Sequence, residues 1–280
     1  PLPDLAKTIQ KGLGDTLGSL VTIIVLGAML GKLVAESGAA QQISGTLINI
    51  FGQKNMAWGL MFTGFIIGIP LFYNVGFVLM IPLVFALVHQ YKLHPLVTGV
   101  PMMASLSVAH GFLPPHPSPA ALVAQFGANM GLTLFYGFLI AIPALVVSGI
   151  VFPEFIKKIN ANPPKGLFES KTFAEDEMPS FGISFLTALI PVLLMALATL
   201  SELTLAETSS LRQMLGFIGN PTTSMLIAVL FALVFLGIKR GQKMQTLMDQ
   251  SGTALGSVTM IVLIIAAGGA FKQVLIDSGI

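Results

Sequence analysis

Long apolar segments separated by short polar ones dominate the chain. Eight segments are predicted to be membrane helices: residues 17–34, 57–72, 75–89, 95–109, 132–152, 181–200, 222–238 and 254–271. A helix needs about 20 apolar residues to cross the hydrocarbon layer, and several of these segments are shorter or are interrupted by proline or glycine. Such interruptions survive in a membrane only where protein or a water-filled cavity covers them. The pattern predicts an all-α, polytopic membrane protein with discontinuous helices, which is typical of transporters.

Composition supports this prediction. Of the 280 residues 54% are hydrophobic and 9% are charged, whereas a soluble domain has about 25% charged residues. The absence of cysteine excludes disulfides and thiolate metal sites. A net charge of +2 gives no reason to expect a nucleic-acid partner. Because the chain starts at Pro1, without Met and without a leader pattern, we expect it to be a piece of a longer protein.

The distribution of Lys and Arg predicts an orientation. Residues 153–179 and the connection after residue 238 are rich in lysine and arginine, and two predicted spans separate them. Both connections are therefore expected on the cytoplasmic side, and residues 201–220 on the other side. We expect residues 1–152 to be a first half of the membrane domain, residues 153–180 a cytoplasmic linker, and residues 181–280 the start of a second half.

A weak internal repeat supports two halves. The segment "GAMLGKLVAESG" (27–38) aligns with "GGAFKQVLIDSG" (268–279), since both begin with glycine and end in an acid followed by Ser-Gly. Coincidence among small residues is the alternative. Many transporters are inverted repeats with the substrate site between the halves. In that interpretation the second copy stops before any equivalent of residues 40–150, so the chain is expected to be truncated.

The segment "AHGFLPPHPSPAA" (109–121) concentrates two histidines and four prolines. Each proline lacks an amide donor and favours an extended preceding residue, so the helix from Pro95 is predicted to end near Gly111. A short apolar stretch follows, which predicts a re-entrant hairpin over residues 110–126. Its half-helix amides would suit an anion, with Ser118, His110 and His116 beside them. The alternatives are a proline-rich outer loop or, with no third ligand nearby, a metal site.

A second polar interruption is Asn74 in "IPLFYNVGF" (69–77). A polar side chain between two apolar runs must find a partner inside the membrane. That partner is either another helix or a hydroxyl of a substrate. Ser105 is a further hydroxyl that we expect to contact a substrate.

The chain resembles the gluconate permease family of bacterial proton symporters from about Ile9 to Ile280. The resemblance is carried by "GDTLGSLVTII" (14–24), "LFYNVGFVLMIPLVF" (71–85), "HGFLPPHP" (110–117), "KTFAEDEMPSFG" (171–182) and "GGAFKQVLIDSG" (268–279). It implies uptake of a sugar acid across the bacterial inner membrane, driven by protons, and a re-entrant hairpin in each half. It also implies additional chain before Pro1 and after Ile280.

One position departs from the family pattern. The family commonly has an acidic residue at position 74, where this chain has Asn74, and an asparagine carries no proton at physiological pH. The remaining candidates for proton coupling are His110, His116, Asp15, Glu36 and Asp277. Histidine titrates near neutral pH, which favours the first two.

The sequence therefore predicts a secondary transporter for gluconate or a related sugar acid, coupled to protons, with Asn74, Ser105, His110, His116 and Ser118 at the substrate. Glycerate and D-serine are alternative substrates. A channel and an intramembrane hydrolase using His110 or His116 are alternative classes, although the hydrolase lacks an evident nucleophile–base pair. No catalysed reaction, cofactor or metal is expected. The expected partners are a small sugar acid, the lipid bilayer and, in a homo-oligomer, further copies of the chain.

Overall fold

A computed structural model describes residues 2–159 and 173–279, and these residues form helices and turns without a strand. The helices are α1 (Leu2–Glu36), α2 (Ala39–Phe51), α3 (Met56–Gly68), α4 (Tyr73–Tyr91), α5 (Pro95–Phe112), α6 (Pro117–Phe126), α7 (Met130–Leu145), α8 (Phe152–Ile156), α9 (Phe181–Thr204), α10 (Ser210–Ile218), α11 (Pro221–Ala232) and α12 (Met244–Asp277). A π-helical segment, Val146–Val151, joins α7 to α8, and another, Leu233–Gly237, extends α11. The all-α prediction is confirmed.

Within the described residues, six helices are long and apolar enough to cross a membrane. They are Asp4–Glu36, Pro95–Phe126, Met130–Ile156, Phe181–Thr204, Pro221–Arg240 and Met244–Asp277. The prediction of a polytopic membrane protein is confirmed. The predicted span 57–72 corresponds to the 13-residue helix α3 and the predicted span 75–89 to the apolar helix α4, and neither is among the six.

Helices α3 and α4 form a hairpin packed along α5. A Cβ added at Gly64 would lie 2.7 Å from the carbonyl oxygen of Met102, and one at Gly68 would lie 2.9 Å from Cβ of Ala109. The later residue of α3 therefore contacts the later residue of α5, so the two helices run parallel. Helix α4 runs the other way, because Gly76 contacts Leu106 whereas Val84 contacts Gly99. The chain therefore reverses at residues 69–72. Pro70 has no N–H group, so it cannot continue the backbone hydrogen bonds of α3.

The prolines predicted to break the helix after His110 do so, but the chain does not reverse there. Near the start of α5, His94 Nε2 lies 3.2 Å from the carbonyl oxygen of Ile159, just beyond the end of α8. Helix α6 ends beside the start of α7, and α7 to α8 is one continuous helix over residues 130–156. Helices α5 and α6 together therefore cover the length of that helix. Residues 110–126 continue from α5 within one candidate spanning helix, Pro95–Phe126, and a re-entrant hairpin at these residues stays a prediction. The reversal of direction that the contacts show lies between α3 and α4.

The connections lie on two opposite faces. On one face the Arg240 guanidinium donates to the carbonyl oxygen of Glu177, and Gln41 exchanges two hydrogen bonds of 3.0 Å with the backbone of Phe173. On the other face Asn129 Nδ2 donates to Glu202 Oε2 at 3.0 Å. The linker prediction for residues 153–180 falls partly on residues 160–172, which lie outside the described residues.

Helices α1 and α12 pack antiparallel over most of their length. Thr8 Oγ1 donates to Asp277 Oδ2 at 2.6 Å, and a Cβ added at Gly12 would lie 2.5 Å from the carbonyl oxygen of Gly269. The two copies of the proposed repeat, residues 27–38 and 268–279, consequently lie at opposite ends of this pair. An inverted repeat requires this arrangement. The division into two halves stays a prediction.

The hairpin is testable by labelling single cysteines in the full-length protein. Leu71, at the reversal, is fully buried, so we expect Leu71→Cys to resist a membrane-impermeant maleimide from both sides. Lys158→Cys and Glu207→Cys, both exposed, should react from opposite sides and serve as controls. Labelling of Leu71→Cys from the Glu207 side would show that α3 and α4 are two complete spans.

The close contact between α3 and α5 can be tested by adding a methyl group at the contact and measuring stability. Gly64→Ala places a methyl group 2.7 Å from a backbone oxygen, which must shift, so we expect the free energy of unfolding to fall by about 1–3 kcal/mol. Gly18→Ala on α1 is the matched control because a Cβ there meets nothing within 4 Å. Thermal unfolding in detergent measures both. Equal melting temperatures for the two variants would contradict the parallel packing of α3 on α5.

Candidate functional site

The two interrupted elements meet at their breaks. His116 Nε2 lies 2.7 Å from the carbonyl oxygen of Gly68. A carbonyl only accepts, so this nitrogen carries the proton. Gly68 is the last residue of α3, where carbonyl groups lose their partners within the helix. His116, from the break between α5 and α6, therefore satisfies the end of α3.

An aromatic cluster surrounds this hydrogen bond. The rings of His110 and His116 have centroids 4.5 Å apart. The Phe72 ring, at the hairpin reversal, lies 5.8 Å from His110 and 6.3 Å from His116, in both cases edge to face. His116 is buried, and Nδ1 of the half-buried His110 has no hydrogen-bond partner among the described residues. The structure thus brings the two predicted histidines together, against Phe72.

The starts of α6 and α4 differ in the backbone donors that they offer. In the first turn of α6, Pro117 and Pro119 lack an N–H group, which leaves the amide of Ser118. In α4 the first amide bonded within the helix is that of Gly76, to Phe72, so the amides of residues 73–75 remain available. The start of α4 is therefore the better of the two for an anion, although the sequence pointed to α6.

The serines predicted to contact a substrate lie apart from each other. Ser105 is fully buried, and its hydroxyl donates to the carbonyl oxygen of Pro101 at 2.6 Å within α5. Ser118 is exposed in the first turn of α6. Neither residue lines the cavity described next. Their role in binding stays a prediction.

A cavity of about 480 Å³ lies between α1, α4 and α12, and Phe72 and Phe173 are among the residues that line it. Its polar lining consists of Lys32, Glu36, Asn74, Thr253 and Ser257. Asn74 is exposed in the first turn of α4, as a side chain available to a ligand must be. Phe72 borders this cavity and also contacts the rings of His110 and His116, so the Phe72 side chain lies between the cavity and the two histidines.

Lys32 and Glu36 form an ion pair on the α1 wall of the cavity, with Nζ 2.9 Å from Oε1. Gly38 has a φ of 80°, a left-handed conformation that favours glycine, and the chain turns there directly after Glu36. Sequence reasoning missed Lys32, Thr253 and Ser257. The signal for Lys32 was present: it is a single cation inside an apolar span, and such residues usually serve a function.

The other two candidates for coupling lie at the opposite end of the α1–α12 pair. Asp15 pairs with Lys11 at 3.0 Å and borders a separate cavity of about 460 Å³, near Gln125 and Lys272. Asp277 accepts from Thr8 at 2.6 Å and from Gln273 at 2.8 Å, and is exposed. The structure does not bring these carboxylates to the histidines or to Asn74. Among the described residues, no three His, Asp or Glu side chains are grouped to hold a metal ion.

Comparison with known proteins gives relatives over the whole chain. The chain is 49% identical to the Gnt-II system L-idonate transporter of Escherichia coli K12 over 273 residues, which cover 98% of this chain and 62% of that protein. It is 47% identical to a high-affinity gluconate transporter of the same organism, over 100% of this chain and 64% of the relative. A gluconate permease of Bacillus subtilis is 46% identical over 100% of this chain and 65% of its own length.

The chain thus spans less than two thirds of the length of these curated relatives. No solved structure matches it. With its apolar helices and these relatives, the chain is part of a multi-pass inner-membrane protein. The model of the GntP family permease matches residues 1–280, so the chain belongs to that permease family.

Proposed function

We propose that the protein to which this chain belongs imports gluconate or a closely related sugar acid by proton symport, and that the cavity between α1, α4 and α12 is its substrate site. The observation that carries the proposal is the polar lining of this cavity beside the start of α4. The names of the relatives, which are transporters and permeases for gluconate and L-idonate, support the substrate class. The proposal contains no catalysed reaction and no cofactor, and the proton is the coupling ion.

The cavity suits a small polyhydroxy carboxylate. Its volume of about 480 Å³ falls in the range of about 300–1,000 Å³ that is usual for ligand pockets. The amides at the start of α4 and the Lys32 ammonium favour a carboxylate. Thr253 and Ser257 donate their own protons to backbone carbonyls of α12, at 2.9 Å and 2.7 Å. Their oxygens therefore remain as acceptors for substrate hydroxyls, and the Asn74 amide both donates and accepts.

Transport by the full-length protein in proteoliposomes tests the function. An imposed gradient, acidic outside, should drive accumulation of radiolabelled gluconate, and a protonophore should abolish it. L-idonate should compete better than glycerate or D-serine. The two smaller compounds fill less of the cavity and have fewer hydroxyl groups to bond with its walls. Equilibration without accumulation would instead identify a channel. If only D-serine or glycerate competed strongly, that compound and not gluconate would be the substrate.

Two variants test whether the cavity is the site. Asn74→Leu and Thr253→Val each remove one hydrogen-bonding group, so each should raise the Kd for gluconate by about fivefold, the effect of one lost hydrogen bond of about 1 kcal/mol. The matched control is Thr259→Val, because Thr259 also donates to its own helix, at 3.1 Å to Leu255, but does not line the cavity. Unchanged affinity in both cavity variants, with uptake intact, would place the substrate elsewhere.

A further inference from the structure

We propose that the cavity of about 460 Å³ between α1, α6 and α12 is a second site for the same sugar acid, with Lys272 as the group that binds its carboxylate. The ligand class is taken from the proposed function, on which this second site therefore rests. The first cavity, between α1, α4 and α12, keeps the role proposed above. The substrate then has one site on each face of the protein.

The two cavities are lined by the same kinds of side chain. Each has a lysine, a carboxylic acid, two hydroxyl groups and a carboxamide, and every other lining residue is apolar or glycine. In the first cavity the polar residues are Lys32, Glu36, Thr253, Ser257 and Asn74. In the second they are Lys272, Asp15, Thr16, Ser19 and Gln125. Because the volumes of about 480 Å³ and about 460 Å³ are also close, a ligand that fits one cavity is expected to fit the other.

The lining residues of α1 and α12 also correspond in position. The segment "DTLGS" (15–19) on α1 aligns with "TALGS" (253–257) on α12. The first, second and fifth residues of each segment line its cavity: Asp15, Thr16 and Ser19 in one, and Thr253, Ala254 and Ser257 in the other. Residues four positions apart share a face of a helix, so both segments present the same face to a cavity. The antiparallel packing of α1 and α12 then puts equivalent faces at opposite ends of the pair, as an inverted repeat requires.

Lys272 supplies the positive charge of the second cavity. It aligns with Gly31 in the repeat of residues 27–38 and 268–279, one position before Lys32. Among the residues that the structure describes, Lys272 forms no ion pair, whereas Asp15 in the same cavity pairs with Lys11 at 3.0 Å. Because Lys11 balances Asp15, the charge of Lys272 is left to attract an anion. A lysine ammonium forms strong hydrogen bonds to a carboxylate, so this cavity favours an acid over a neutral sugar.

The hydroxyl and amide groups of the second cavity suit the hydroxyls of a sugar acid. Ser19 Oγ donates to the carbonyl oxygen of Thr16 at 2.9 Å, and the aligned Ser257 Oγ donates to the carbonyl oxygen of Ala254 at 2.7 Å. Both serine oxygens are therefore held in the same way and remain as acceptors. The Gln125 amide, from α6, both donates and accepts. Each cavity thus offers hydrogen-bonding groups beside a lysine.

The two cavities lie towards opposite faces. Phe173, which lines the first, belongs to the face where Gln41 bonds its backbone. Gln125, which lines the second, is next to the last residue of α6, close to Asn129 and its bond to Glu202 on the other face. Buried apolar side chains of the α1–α12 pair lie between the cavities. With the orientation predicted from lysine and arginine, the second cavity is on the side from which the substrate is imported.

Exchange of radiolabelled gluconate by the full-length protein, in vesicles of either orientation, tests the second site. D-gluconamide, which has an uncharged amide in place of the carboxylate, measures how much each face gains from the charge. In the unaltered protein gluconate should compete better than gluconamide on both faces. Lys272→Met should raise the gluconate concentration for half-maximal exchange by about tenfold on the face that carries Glu207, as expected for the loss of a charged hydrogen-bond partner. Competition by gluconamide should not change.

Further variants separate the two sites. Lys272→Arg keeps the charge and should keep most of the preference for gluconate, whereas Lys32→Met should remove that preference on the opposite face. The matched control is Lys7→Met, which should change neither face, because Lys7 is exposed at the same end of α1 and α12 but does not line the cavity. Ser19→Cys gives a measurement that does not depend on Lys272→Met being folded. An impermeant maleimide should react with it from the Glu207 side, and gluconate should slow this reaction more than gluconamide does.

Three results would overturn the second site while the proposed function stands. In the first, Lys272→Met keeps the full preference for gluconate on the Glu207 face. In the second, Lys272→Met loses this preference equally on both faces, which would indicate a single site reached from either side. In the third, gluconate does not slow the labelling of Ser19→Cys. If the unaltered protein exchanges none of the sugar acids, the proposed function fails and the second site fails with it.

Discussion

The hydrogen bond between His116 and the carbonyl oxygen of Gly68 joins the two places where the membrane helices are interrupted. An unpaired backbone carbonyl inside a bilayer costs several kcal/mol, so a hairpin can end within the protein only if its last carbonyls find donors. The imidazole from the α5–α6 break supplies one. The proline-rich break and the hairpin reversal are therefore parts of a single arrangement. Without His116 at the break, the end of α3 would need another donor.

This contact also determines where the polar cavity begins. The histidine rings hold Phe72 at the reversal, and Asn74 follows two residues later in the first turn of α4. The free N–H groups of that turn point out of the start of the helix. Phe72 then lies between the histidine cluster and a cavity with charged and polar walls. His116 supports the backbone at the end of α3, and it is not among the residues that line the cavity.

The sequence predicted the helices well and left the packing between them open. Apolar length identified every major span, and four prolines located the break at residues 113–116. Residues 57–72 and 75–89 were predicted as two spans from apolar length, which does not reveal whether a chain crosses or returns. The reversal follows from the contacts of Gly64 and Gly68 with α5, which link residues about 40 positions apart. Asn74 stood out because it is polar among apolar neighbours, whereas Thr253 and Ser257 became recognisable only when α12 was placed beside α1.

The antiparallel pair of α1 and α12 places two polar cavities at its two ends, with the buried side chains of Leu20, Ile24, Ala28, Ala254 and Val258 between them. A carboxylate that crossed this apolar cluster as a free anion would lose its hydration without compensation. Under the proposed function, the substrate charge must therefore be neutralised before the helices rearrange around it. Lys32, which lies on the cavity side of the cluster and pairs with Glu36, is a cation placed to do so.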